Sequence, residues 1–321
     1  EAQRYPEDYD GIVAMVPAHC RTPLHAYFLW NFQILEECPF TEEQEAGVIA
    51  AANVHMATRE TPQTAGEMIS DPRGSAADIE AVIALAMRED RTLTVKHGEA
   101  LRKLFDGPRH AVNGACIFGG VPLGSTFRNA TGNLYPFRWV FGEDTDLMGL
   151  NFGDDIEVYT KRLGPYLNAE EVDLSRFAAR GGRLLMASGS ADPIVPYHAT
   201  LDYYERVVEH FGSLESVQEF FRFYLLPGRD HGGGGPGINQ LEDVLGLIAA
   251  WREKKQAPEA ITAKRVVDGE EELSMPVYPY PQKTGWAEKT GWAEKTGFMP
   301  VVGERGEVPR VASAFRPAPA E

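Results

Sequence analysis

Cysteine is scarce: three residues in 321, Cys20, Cys38 and Cys116, lie far apart and without metal-ligand spacing. At most one disulfide can form, so the fold does not rest on a cystine framework, and buried free thiols are expected. No run approaches the ~18–20 apolar residues that a membrane-spanning helix needs, and the opening residues show no charged n-region followed by an apolar h-region. Basic clusters are missing too. With 31 Lys and Arg against 47 Asp and Glu, the net charge is −16; nucleic acid and anionic membranes are therefore poor partners, and small-molecule chemistry is favoured. One further absence matters more than these, the G-x-S-x-G turn that carries the serine of many hydrolases.

The residues that are present, 43% apolar and 24% charged, suffice for a well-buried core in one large domain or two smaller ones. The chain divides into four blocks. In the first, 1–38, the run Ile12 to Val16 is bounded by Gly11 and Pro17 and is too short for a buried helix, so strand followed by loop is expected. The second, 39–167, carries helical patterns in TEEQEAGVIAAANVHMA, SAADIEAVIALAMRED and TVKHGEALRKLFDGPR, with Thr41 and Gln44 at capping-box spacing. GACIFGGVPLGSTFRNATGN is too glycine-rich for a helix. Phe137, Trp139 and Phe141 alternate in strand fashion, either to pack this insert onto the core or to line an aromatic pocket.

The third block, 168–256, alternates strand and helix. RLLMAS reads as a strand, ATLDYYERVVEHFG as an amphipathic helix, FFRFYLLP as a strand, and INQLEDVLGLIAAWREKK as a helix closed by Lys254 and Lys255. This βαβα order implies a parallel sheet whose functional side chains sit on loops at the strands' C-terminal ends. The fourth block, 257–321, is Pro-rich and expected to be irregular. It contains the hexapeptide TGWAEK twice in tandem; this is read as a surface-loop duplication, with an aromatic platform of Trp286 and Trp292 as the other reading.

Two loops of the third block carry chemistry. Asp192 follows one strand in SGSADPIVP, and His231 follows the next in LLPGRDHGGGGPG. A carboxylate that fixes an imidazole tautomer and an imidazole that takes a proton from a hydroxyl form two thirds of a hydrolase triad. The order is Ser, Asp, His once an upstream serine is supplied. Asp230 is the secondary carboxylate. Ser188 and Ser190 flank Gly189 on the Asp loop itself, where neither can serve as the nucleophile, and the adjacent pair His19 and Cys20 cannot easily form a catalytic dyad. The opening EAQRYPEDYDGIVAMVPA reads as a helix tail followed by a strand, which places the expected serine just upstream of Glu1.

EAQRYPEDYDGIVA, LFDGPR with FGGVPLGS, DLSRFAARGGRLLMASGSADPIVP, LDYYERVV and the LLPGRDHGGGGPG loop resemble the tannase and feruloyl esterase family of α/β-hydrolases, which also includes mono(hydroxyethyl) terephthalate hydrolase. The resemblance runs from residue 1 to about 255. It implies an α/β fold of the α/β-hydrolase type with a mainly helical lid inserted after the first strand, and a serine acyl-enzyme mechanism on esters of aromatic acids such as gallate or ferulate. Asp192 and His231 take the triad's acid and base positions, and the family's serine lies in a Cys-Ser-x-Gly-Gly turn that these residues do not contain. Family members are often secreted or periplasmic.

Three departures follow. Without the serine turn and its oxyanion hole, this chain alone is expected to be inactive, with its sheet edge exposed and its solubility poor. Gly232 stands where many members have a cysteine bonded to the one before the serine, leaving packing alone to hold His231. The lid keeps Ile69, Ser70, Asp71 and Pro72 of a calcium loop but no Asp in the preceding ATRETPQTAGEM, so no calcium or other cofactor is expected. A non-catalytic or degenerate binding protein is the alternative reading, against which the retention of both Asp192 and His231 counts.

Overall fold

The computed structural model describes residues 1–58, 73–286, 298–301, 305 and 308–316. After two turns closed by Tyr5 N–H to Glu1 O and Asp8 N–H to Tyr5 O, strand β1 spans Gly11–Met15. Helix α1, Arg21–Glu37, comes next. The sequence reading had strand and loop here. The first half of α1 is apolar on almost every side and buried from Thr22 to Leu29, so it lacks the one-sided periodicity that marks a surface helix.

The helical insert, called the lid after its expected role, follows as α2 (Glu42–Ala57), α3 (Ala76–Glu89), α4 (Val95–Asp106), α5 (Pro136–Phe141) and α6 (Asp154–Leu167). Capping boxes start three of these helices. Thr41 with Gln44, Ser75 with Asp78, and Thr94 with His97 each exchange side-chain and backbone bonds, which satisfies amide groups that a helix start leaves open. Residues 107–133 are irregular, as their glycine content requires. The expected alternation of Phe137, Trp139 and Phe141 is overturned: they lie on α5, where Phe137 is buried and Trp139 is 61% exposed. Pro136 presets the first turn of that helix.

Helix α7 (Ser175–Ala179) leads into strand β2 (Arg183–Gly189), then α8 (Tyr197–Phe211), α9 (Leu214–Gln218), β3 (Phe221–Leu226), the two-residue β4 (Gln240–Leu241) and α10 (Val244–Lys254). Strands β1, β2 and β3 form a parallel sheet in that order. Side chains on β2 and β3 alternate between two apolar layers. Leu184, Met186, Phe221 and Phe223 pack on one face with α8, and Leu185, Ala187, Tyr224 and Leu226 pack on the other with α10. Burial on both faces explains why these strands read as nearly continuous apolar runs.

The last block is not irregular. Strands β5 (Ile261–Val267) and β6 (Glu270–Val277) form an antiparallel hairpin joined to β4, and β7 (Lys283–Trp286) pairs with β8 (Phe298–Val301). Charged residues on the outer face of the hairpin had hidden its alternation, while Ile261, Ala263, Met275 and Val277 point into the core under α10. The TGWAEK repeat beyond Trp286 lies outside the described residues. Near the end of the chain, Arg305 pairs with Glu205, and Arg310 with Glu209 at 2.6 Å, while Val311 and Phe315 enter the lid core. This strap therefore joins α8 to the lid. Among the described residues, no helix is long and apolar enough to cross a membrane.

Candidate active site

Parallel pairing of β2 with β3 carries the chain out of the sheet twice on the same side, through the loops that hold Asp192 and His231. The strands are in register up to Gly189 opposite Leu226, and both loops then rise side by side. His231 Nδ1 lies 3.0 Å from Asp192 Oδ2. The two residues predicted from sequence are thus brought together across 39 residues of chain.

Asp192 is fully buried. Its Oδ1 accepts the backbone N–H groups of Ile194 and Val195, each at 2.8 Å, which locks the carboxylate in the turn and leaves Oδ2 for the imidazole. Burial raises the carboxyl above its ordinary range. The Val195 N–H, the charge of His231 and the Ile194 N–H oppose that shift. With the carboxylate ionised, His231 Nδ1 carries the hydrogen, and Nε2 is the basic nitrogen. The His231 side chain is 46% exposed, and among the described residues Asp192 is its one hydrogen-bond partner. Nε2 is therefore the free face of the pair.

Asp230 makes no bond to the imidazole, and its carboxylate lies over Gly234 instead. His19 pairs with Glu170 and not with Cys20, and burial pushes the Cys20 thiol well above the ordinary range. All three cysteines are free, Cys20 and Cys38 buried and Cys116 half-buried. The glycines after His231 serve the loop's own closure: Gly233 and Gly235 have φ of 83° and 86°, conformations that favour glycine.

On the lid side, Asn53, Leu123 and Gly124 form a narrow crevice with Ser190, Ala191 and Gly228 of the two loops. Glu45 of α2 fixes the lid's irregular stretch, its Oε1 accepting the N–H groups of Phe127 at 2.6 Å and Arg128 at 2.7 Å. Among the described residues, no group of three or more His, Cys, Asp or Glu could hold a metal ion. Ile69, Ser70, Asp71 and Pro72, on which the calcium reading turned, lie outside the described residues.

The chain that carries this pair is similar to known proteins. Residues 142–299, which include both loops, match the model of the tannase and feruloyl esterase family. This stretch places just under half of the chain in that family. It is 26% identical to an uncharacterized esterase of Xanthomonas campestris, over 99% of this chain and 65% of that protein. It is 27% identical to a probable feruloyl esterase B-1 of Aspergillus flavus, over 83% and 56%. A mono(2-hydroxyethyl) terephthalate hydrolase of Piscinibacter sakaiensis is 32% identical over 39% of this chain and 20% of its own length. Among solved structures, an esterase from Aspergillus oryzae superposes with a TM-score of 0.75 at 23% identity, covering 94% of this chain and 65% of that one. A tannin acyl hydrolase from Aspergillus niger gives 0.72 at 15%, covering 93% and 61%. The chain thus has the α/β-hydrolase type of fold seen in the family, and it spans from about half to about two thirds of the length of the first relatives it matches.

The Asp and His loops were legible in the sequence, but two tertiary contacts beside them were not foreseen. Tyr27 reaches from α1 to the Asp loop, and Ser190 bonds to the base of the His loop. Ser190 had been weighed only as a nucleophile and set aside. No local pattern in the sequence marks either residue.

Proposed function

We propose that this chain forms the acid–base half of a carboxylic ester hydrolase that cleaves esters of aromatic acids through a serine acyl-enzyme. The buried Asp192 carboxylate bonded to His231 Nδ1, with Nε2 left open, is the observation that carries this reading. A serine from outside these 321 residues would approach Nε2 and lose its proton to it as the oxygen attacks the ester carbonyl. The imidazolium then protonates the departing alkoxide, which leaves as the alcohol, and the acid remains bonded to the serine. Water repeats the cycle: Nε2 takes its proton, the hydroxide oxygen attacks the acyl carbon, and the serine oxygen leaves with that proton. Through both halves Asp192 holds the tautomer and offsets the charge that forms on the ring. The family and the names of its members support the ester class.

The test uses the intact protein with the serine-bearing segment present, offered methyl gallate, methyl ferulate and mono(hydroxyethyl) terephthalate. Release of free acid, with loss of activity and a matching mass increase on treatment with a fluorophosphonate, is the expected result. A well-folded intact protein that cleaves none of a broad ester panel overturns the reading and leaves a binding role.

A further inference from the structure

The loop that carries His231 has no covalent restraint. Residues 227–238 contain no cysteine, and the three cysteines of the chain are free. Four consecutive glycines follow the histidine, so the unfolded loop samples an unusually large conformational space that must be given up to hold the ring in place. The imidazole itself is 46% exposed and is bonded only to Asp192 among the described residues. A drift of about 1 Å takes a 3.0 Å hydrogen bond out of range.

Ser190 supplies a restraint. It stands one residue past β2, where the parallel ladder with β3 ends, and it is 1% exposed. Its Oγ accepts the N–H of Gly228 at 2.7 Å in a buried contact. On either side of that bond, Ser190 N–H donates to Leu226 O at 2.9 Å and Ala191 N–H to Arg229 O at 3.1 Å. The side chain thus adds a rung between two backbone ones, just past the end of the regular strand pairing. Gly228 is also the base of the His loop, because its carbonyl accepts Gly237 N–H at 3.0 Å, next to Ile238 N–H bonded to Pro227 O at 3.1 Å. The root of the loop is therefore held from both sides, to its own far end and to the Asp loop. With these backbone bonds, the Ser190 hydroxyl couples the turn that fixes Asp192, two residues on, to the loop that presents His231.

We infer that Ser190 is a positioning residue that fixes the His231 loop against the Asp192 turn by hydrogen bonding, in a site that has no disulfide to do so. Its consequence for catalysis rests on the proposed ester hydrolysis, whereas the geometric claim does not. In the intact protein, Ser190→Ala removes the acceptor without adding bulk, and Ser190→Thr keeps it. Three readouts apply: hydrogen exchange of the Gly228 amide, the proton signal of the His231 Nδ1–H by NMR, and kcat and KM on an aromatic ester.

For Ser190→Ala, Gly228 exchange should rise at least about tenfold while the amides of β2 and β3 stay protected. The Nδ1–H signal should broaden or vanish, and kcat should fall about tenfold or more with KM within about twofold. Ser190→Thr should resemble the parent in all three. An alanine variant with unchanged Gly228 exchange and an unchanged His231 signal overturns the inference. So does a threonine variant as impaired as the alanine one, the comparison that decides if the alanine variant fails to fold. If the parent cleaves no ester, the functional proposal fails, and exchange and NMR still decide the role of Ser190.

Discussion

Tyr27 donates its hydroxyl hydrogen to the carbonyl of Pro193 at 2.8 Å, binding α1 to the turn that holds Asp192. Both residues are buried, and the ring packs 5.4 Å from that of Phe118 on the lid. One phenol therefore touches the lid, α1 and the Asp loop. Tyr27→Phe keeps the packing and strands a buried carbonyl, which costs about 1–2 kcal/mol. Urea unfolding should show that loss with an unchanged m-value, and identical midpoints for parent and variant would show that the bond contributes nothing.

Gly189 is required by the crossing of the two loops. A Cβ at this position would lie 2.1 Å from the carbonyl oxygen of Arg229, a backbone atom that cannot turn aside. Gly189→Ala should therefore displace the His loop at a cost of about 1–3 kcal/mol. Hydrolysis in the intact protein should fall further than stability does, because the displaced segment ends in His231. A variant with full activity would mean that the loop moves without consequence.

His25 links stability to acidity. It is buried on α1, its Nδ1 lies 2.5 Å from the Tyr159 hydroxyl, and burial together with the nearby positive charge of Arg21 lowers its pKa from 6.5 to about 4. The native state thus keeps the ring neutral at pH values where the unfolded chain protonates it. The stability this confers is present in full above pH 6.5 and is lost as pH falls toward 4, by about 3 kcal/mol in all. His25→Gln should unfold with a flatter pH dependence across that window, as checked by urea titrations at pH 4.5, 5.5 and 7. Parallel curves for the two proteins would rule out a depressed histidine.

Asp192→Asn retains an oxygen able to take the bonds from Ile194 and Val195 but removes the charge that favours the productive imidazole tautomer. In the intact protein, kcat/KM on an aromatic ester should drop by a factor on the order of 10³–10⁴ with little change in thermal midpoint. A drop below tenfold would assign the acid role elsewhere.

Much of this was legible in the chain. The runs at 12–16, 183–188 and 220–226 were read as strands because parallel strands buried on both faces need unbroken apolar sequence, and Thr41 with Gln44 announced a helix start through local bonds alone. Readings failed where one local pattern admits two structures. Phe137, Trp139 and Phe141 alternate as in a strand, but Pro136 and the packing of Phe137 on Tyr159, with ring centroids 4.3 Å apart, make a short helix. Helix α1 escaped notice because burial on most sides erases its periodicity, and the β5–β6 hairpin because its exposed face is charged.

Sequence by itself determined the strand and helix order of the Asp and His loop region, the family resemblance, and Asp192 and His231 as the candidate acid and base, since propensity, capping and motif spacing are properties of short segments. Tertiary structure alone decided that Asp192 and not Asp230 meets the imidazole, that His19 turns to Glu170, and that Ser190 and Tyr27 brace the two loops. Those outcomes depend on contacts between residues 38 to 166 positions apart, and such contacts are set by how the strands pair and what the sheet buries, which no local pattern encodes.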